Sequence, residues 1–141
     1  MILSLSIPVL VGLPGFYVLI VYGEPIKTYK QLKGNIASSL DFYANVYSSP
    51  GSSSKETLLE AYNKLRDLAT QITSSRQQLP ELWVLRKLFG LPTHTDLKEA
   101  SSRLIGLSNS VFSVPEGIAV SALIDVNNNK ADDVRRLLNI K

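Results

Sequence analysis

Asp125, Asn127 and Asn129 have the spacing of the first three ligands of a calcium loop, D-x-N-x-N, in which short oxygen donors alternate around a hard cation. The pattern then fails: Lys130 stands where the loop needs glycine, and Arg136 where it needs the closing bidentate glutamate. A cation there would meet two positive side chains. The same residues are better read as a helix start, with Asn129 as cap and Asp132 in the first turn. The one histidine, His94, lies in Leu91-Pro92-Thr93-His94-Thr95, between a helix end and a helix start. An imidazole oriented by a carboxylate can serve as a general base, and Asp96 is close in sequence. No nucleophile motif accompanies it, so a solvated loop histidine is expected. No phosphate-cradling glycine loop, G-x-S-x-G or H-E-x-x-H is present. The lack of cysteine excludes disulfides, thiolate metal sites and cysteine nucleophiles, and one histidine cannot make a multi-histidine metal site. No enzyme chemistry, metal or cofactor is expected.

What remains is a set of cations beside apolar or aromatic residues. Lys27, Lys30 and Lys33 follow a long uncharged stretch, Trp83, Arg86 and Lys87 share a short amphipathic segment, and Arg135 and Arg136 lie near the C-terminal end. Trp with basic residues on such a segment is the composition of an interfacial helix. These eight residues are the candidate contacts to an anionic membrane surface, where each basic group contributes ~1 kcal/mol. The net charge is only +3 and the basic residues are dispersed. Nucleic acid, which calls for a clustered basic face, is not an expected partner.

The elements that must position these groups begin with the front of the chain. Glu24 is the first charged residue, so Met1 to Gly23 is a charge-free, mainly apolar stretch, and ~20 such residues cross a bilayer core. A cleavable signal would carry a basic start and a shorter apolar run, so residues 1–23 read as a retained transmembrane anchor. Pro8, Gly12, Pro14 and Gly15 predict an irregular, kinked helix, and Tyr22 falls where an interfacial aromatic belongs. Basic residues flank only the C-terminal side, which by the positive-inside rule puts the rest of the chain in the cytoplasm of a single-pass membrane protein.

Residues 24–141 read as helices. From Pro25, the residues Tyr29, Leu32, Ile36, Leu40, Tyr43 and Tyr47 form one stripe. Ser48 to Ser54 is a loop, and Ser53 with Glu56 matches a capping box. Leu58, Leu65, Ile72 and Leu79 then recur every seven residues. Pro80 opens a short segment, with Leu82, Leu85, Leu88 and Phe89 on its apolar face, that Gly90 and Pro92 end. From Thr95 a further helix carries Leu97, Ala100, Leu104, Leu107 and Val111. Ser113 and Glu116, with Pro115 between them, repeat the capping-box pattern. Residues 118–129 alternate as a strand would, but no second strand exists to pair with them, so helix is expected. A break at Asn127 to Asn129 follows from their poor helix propensity. Pairs Glu60–Lys64, Glu99–Arg103 and Asp132–Arg136 mark solvated faces.

The expected fold is all-α: an N-terminal transmembrane helix followed by an antiparallel bundle of about four helices. An up-and-down path brings the Pro80–Pro92 segment back to the membrane, where it closes the open end of the core and can also touch lipid. The same path returns Arg135 and Arg136 to that end. Leu104-Ile105-Gly106-Leu107-Ser108-Asn109-Ser110, with the one-span start and the basic C-terminal helix, resembles small bacterial single-span membrane proteins of unknown function. That resemblance implies placement and no mechanism. The functional expectation is a non-enzymatic interaction or scaffold module at the cytoplasmic membrane face, with membrane lipid and another protein as partners. An outward-facing, sensor-like ligand-binding bundle is the alternative.

Overall fold

The computed structural model describes residues 3–49, 52–112 and 119–140, with side chains described from residue 15 onward. All six described elements are α-helices: α1 (Leu3–Phe42), α2 (Ala44–Ser48), α3 (Lys55–Gln78), α4 (Trp83–Phe89), α5 (His94–Ser110) and α6 (Val120–Leu137). The all-α class is as expected. The four long helices form the bundle, and two short helices turn its corners.

α1 corrects the expected boundary at Pro25. The helix is continuous for 40 residues, about 60 Å at 1.5 Å per residue, and it crosses Gly23–Glu24 without interruption. Proline lacks the N–H that would bond the carbonyl four residues earlier. Here that carbonyl belongs to Val21, on an exposed stretch of α1, so its loss is not a loss in the core. Among the described residues no helix is long and apolar enough to cross a membrane. Most of the expected span, residues 1–14, lies outside the described side chains, as does most of the irregularity expected from its prolines and glycines.

The apolar stripes define the core as their spacing requires. Tyr29, Leu32, Ile36 and Leu40 of α1 are buried, with Tyr43 and Tyr47 beyond them, against Leu58, Leu65, Leu68 and Ile72 of α3. Leu97, Ala100, Leu104 and Leu107 complete it from α5, and Val134 and Leu137 from α6. α3 packs on α1 and α5, α5 on α6, and α2 on α6. Neighbouring long helices run antiparallel. Tyr43 Oη donates to Glu60 at one end of the α1–α3 pair (2.8 Å), while Thr28 and Gln78 share a groove at the other. Arg103 meets Asp133 at 3.5 Å, and Lys130 lies over Gly106.

Local signals at the helix ends were read with mixed success. The cap of α3 is Ser54, whose hydroxyl accepts from Thr57 N at 3.3 Å, one residue beyond the expected Ser53. α5 has a full capping box that the sequence reading overlooked: Thr93 Oγ1 accepts from Asp96 N (3.0 Å), and Asp96 Oδ2 accepts from Thr93 N (3.0 Å). The Ser113–Glu116 box lies outside the described residues. α6 is helical, as expected, but it does not break at Asn127 to Asn129 and is not re-capped at Asn129. Tertiary bonds override the weak propensity: Asn127 Nδ2 donates to Tyr47 O at 2.9 Å, and Asn128 Oδ1 accepts from Ser48 Oγ at 2.7 Å. With Asn127 buried inside a continuous helix, the D-x-N-x-N residues do not form a loop.

Candidate functional site

The expected surface cations separate into two groups once placed on the fold. Lys27 and Lys30 project from α1 just past Gly23, both exposed, with Lys27 3.7 Å from Glu24. Lys33 is half-buried and donates to Asn139 O at 2.5 Å, tying the C-terminal end of the chain to α1. Arg135 and Arg136 are not at this end. Arg135 pairs with Asp41 at 2.6 Å, 18 residues and about 27 Å beyond Gly23 along the same helix. Arg136 pairs with Asp133 at 3.0 Å. The cause is length: α6 stops at Leu137 and retraces only part of the path that α1 lays out.

α4 is where the returning chain meets the base of the bundle. It ends in a Schellman turn, with Gly90 at φ 64°, Gly90 N donating to Lys87 O and Leu91 N to Arg86 O. Glycine, with no Cβ, adopts that backbone without strain. Its expected apolar face is divided between two uses. Phe89 packs against the core and Leu85 is half-buried, closing the bundle end. Leu82, Trp83, Val84 and Leu88 stay exposed, Trp83 at 71%, with Lys87 among them.

Arg86 leaves this surface group. It is 6% exposed, and its guanidinium turns inward as a clasp: Nε donates to Pro80 O at 2.8 Å, and Nη1 donates to Pro92 O. The two carbonyls flank α4, so one planar fork fixes both ends of the short helix. Burial lowers the pKa of Arg86 from its ordinary value. Around it lie Tyr29, whose phenol is pushed up by burial against the opposing pull of Arg86, and His94. Tyr29 Oη, Arg86 Nη2 and His94 Nε2 are buried without a hydrogen-bond partner among the described residues.

His94 is therefore not the solvated loop residue that was expected. It is the first residue of α5, and burial, followed by the Arg86 cation, holds its pKa below 6.5. A base with a depressed folded-state pKa binds protons more readily when unfolded, so stability falls as pH drops through the unfolded value of about 6.5. Thermal unfolding between pH 7.5 and 5 checks this. The His94→Gln variant should lose less of its midpoint on acidification than the parent does.

No family model, curated protein or solved structure matches the chain. Its site is thus read from geometry alone. α1 and α4 together enclose a groove of about 480 Å³, lined by Val18, Leu19, Gly23, Ile26 and Phe89, with Lys27, Lys30 and Gln31 at one end. This groove was missed in the sequence reading because it needs Phe89 of α4 beside α1. The lone signal in the sequence was Gly23, the break in an otherwise bulky stripe. Beyond the groove, Phe16, Tyr17 and Ile20 are 64%, 66% and 64% exposed. α1 thus leaves the bundle with its apolar side chains uncovered.

Proposed function

We propose that the protein is a membrane-anchored helical bundle, held by residues 1–23 as a single span and working from the cytoplasmic face as a non-enzymatic interaction or scaffold module. One observation carries the proposal: α1 runs unbroken out of the bundle core into a charge-free stretch on which Phe16, Tyr17, Leu19 and Ile20 are exposed. Exposed contiguous apolar surface marks a site of contact with membrane or protein. Lipid is the medium for which a charge-free stretch of this length is suited. Lys27 and Lys30 follow on the same helix, and Trp83 and Lys87 are exposed on α4; aromatic and basic groups of this kind suit lipid headgroups. The partners are anionic lipid and a membrane or cytosolic protein. In placement the chain is similar to small bacterial single-span membrane proteins of unknown function.

The test uses the absence of cysteine. Ser52 is exposed between α2 and α3, and Ser52→Cys places one thiol there. The full chain is expected to stay with membranes through an alkaline carbonate wash, and the thiol to react with an impermeant maleimide only after the cells are opened. Release by the wash overturns the anchor. Labelling of intact cells overturns the inward orientation and favours the sensor-like alternative.

A further inference from the structure

We infer that the groove between α1 and α4 is a binding site for one anionic phospholipid, with an acyl chain along its apolar floor and the phosphate at Lys27 and Lys30. The inference rests on the anchored reading and deepens it. The ordering of groups along α1 is what singles out a lipid. Val18 and Leu19 lie nearest the N-terminal end, Gly23 comes next, Ile26 follows, and Lys27 and Lys30 stand at the outer end. Leu19 to Lys30 is 11 residues, about 17 Å, running from inside the proposed span of residues 1–23 to a point beyond its end. A phospholipid in one leaflet has the same order of chemistry: hydrocarbon toward the midplane, phosphate toward water.

Gly23 makes the groove. A Cβ built there meets nothing within 4 Å, so the absence of a side chain is not demanded by packing within the chain. Glycine in a helix interior costs ~1 kcal/mol against alanine, and here the recess it leaves is walled by Phe89 from α4. Lys27 and Lys30 are exposed, and neither neutralises the other. Glu24 is near Lys27 at 3.7 Å, whereas Lys30 makes no ion pair among the described residues, so Lys30 is the stronger phosphate contact. The volume, about 480 Å³, takes one acyl chain's upper part.

The experiment compares the full chain with Gly23→Leu and with the Lys27→Gln/Lys30→Gln pair, each reconstituted in nanodiscs of mixed phosphatidylglycerol and phosphatidylcholine. Lipid retained after extraction into mild detergent is counted by native mass spectrometry. The parent is expected to keep one phosphatidylglycerol per chain, preferred about tenfold or more over phosphatidylcholine, as two lysines near a phosphate allow. Leucine at position 23 fills the groove while favouring helix, and should cut retention of either lipid at least fivefold. The lysine pair should keep the occupancy but lose the preference. Equal retention by parent and Gly23→Leu, or no preference in the parent, overturns the site. A carbonate wash of the same variants reads the anchor separately: a chain that stays in the membrane yet keeps no lipid refutes the groove alone.

Discussion

Replacing Arg86 with methionine lowers the stability of the chain by about 3 kcal/mol and its thermal midpoint by about 10 °C. Methionine matches the aliphatic stem of the arginine, so packing around the stem is nearly conserved. What goes is the fork. Pro80 O and Pro92 O, both on buried residues, lose the donors Nε and Nη1. Each bond from a charged donor is worth ~1.5–3 kcal/mol, and each carbonyl left unpaired keeps its full desolvation cost. Set against this is the relief of no longer burying a cation, which holds the net to about 3 kcal/mol. Arg86→Lys recovers little, because an ammonium cannot span two carbonyls on opposite sides of α4. Thermal unfolding of the full chain in detergent, followed by circular dichroism, gives the midpoint. Amide exchange gives the location, with the amides of Trp83–Phe89 losing protection first. An unchanged midpoint for Arg86→Met would mean that the clasp contributes nothing.

Asn127→Asp destabilises the chain by about 4 kcal/mol at pH 7, and most of the loss is recovered in acid. Asn127 is fully buried and donates through Nδ2 to Tyr47 O at 2.9 Å. An ionised carboxylate there presents an acceptor to an acceptor, in a place that water does not reach. Burial raises the folded-state pKa of the new carboxyl above its unfolded value of about 3.9. The protonated form, whose hydroxyl can again donate to Tyr47 O, is thus the one the folded state prefers. The sign follows: below the unfolded pKa the penalty is nearly absent, it grows as pH rises between the two pKa values, and it levels off above the folded one. Chemical denaturation from pH 4 to 8 should show the variant converging on the parent at the acid end. A variant that stays equally weak throughout would rule out titration as the cause.

Both residues show where the sequence stops being informative. The helices were legible because their apolar residues recur on one face: Tyr29, Leu32, Ile36 and Leu40 are spaced by three and four, and all are buried. Leu58, Leu65, Ile72 and Leu79 likewise fill one side of α3 and its end. Asn127 was read from propensity as a helix break, yet its partner is a backbone carbonyl 80 residues away. No local rule sees that bond. Arg86, beside Lys87 and near Trp83, has the composition of an interfacial cation, but two carbonyls six residues to either side claim it. Pro25 was read as the first residue of a helix, yet it lies inside a longer one, where the carbonyl it leaves without a donor belongs to the exposed Val21. Arg135 and Arg136 were misplaced for a metrical reason: counting helices gave the right direction, while the short α6 decided the level. At the site, Lys27, Lys30, Lys87 and Trp83 were legible as a composition. The groove was not, since it exists only where Phe89 of α4 comes beside α1.

A 40-residue helix with no swivel at Gly23 makes the front of the chain and the first wall of the bundle a single rod. For a chain anchored by its front, any lean of the span becomes a sideways sweep of the bundle. From Gly23 to Phe42 the lever is about 28 Å, so a 10° change of tilt carries the far end by about 5 Å. Bilayer thickness, which sets such tilt through hydrophobic mismatch, would then be transmitted mechanically to whatever the bundle touches.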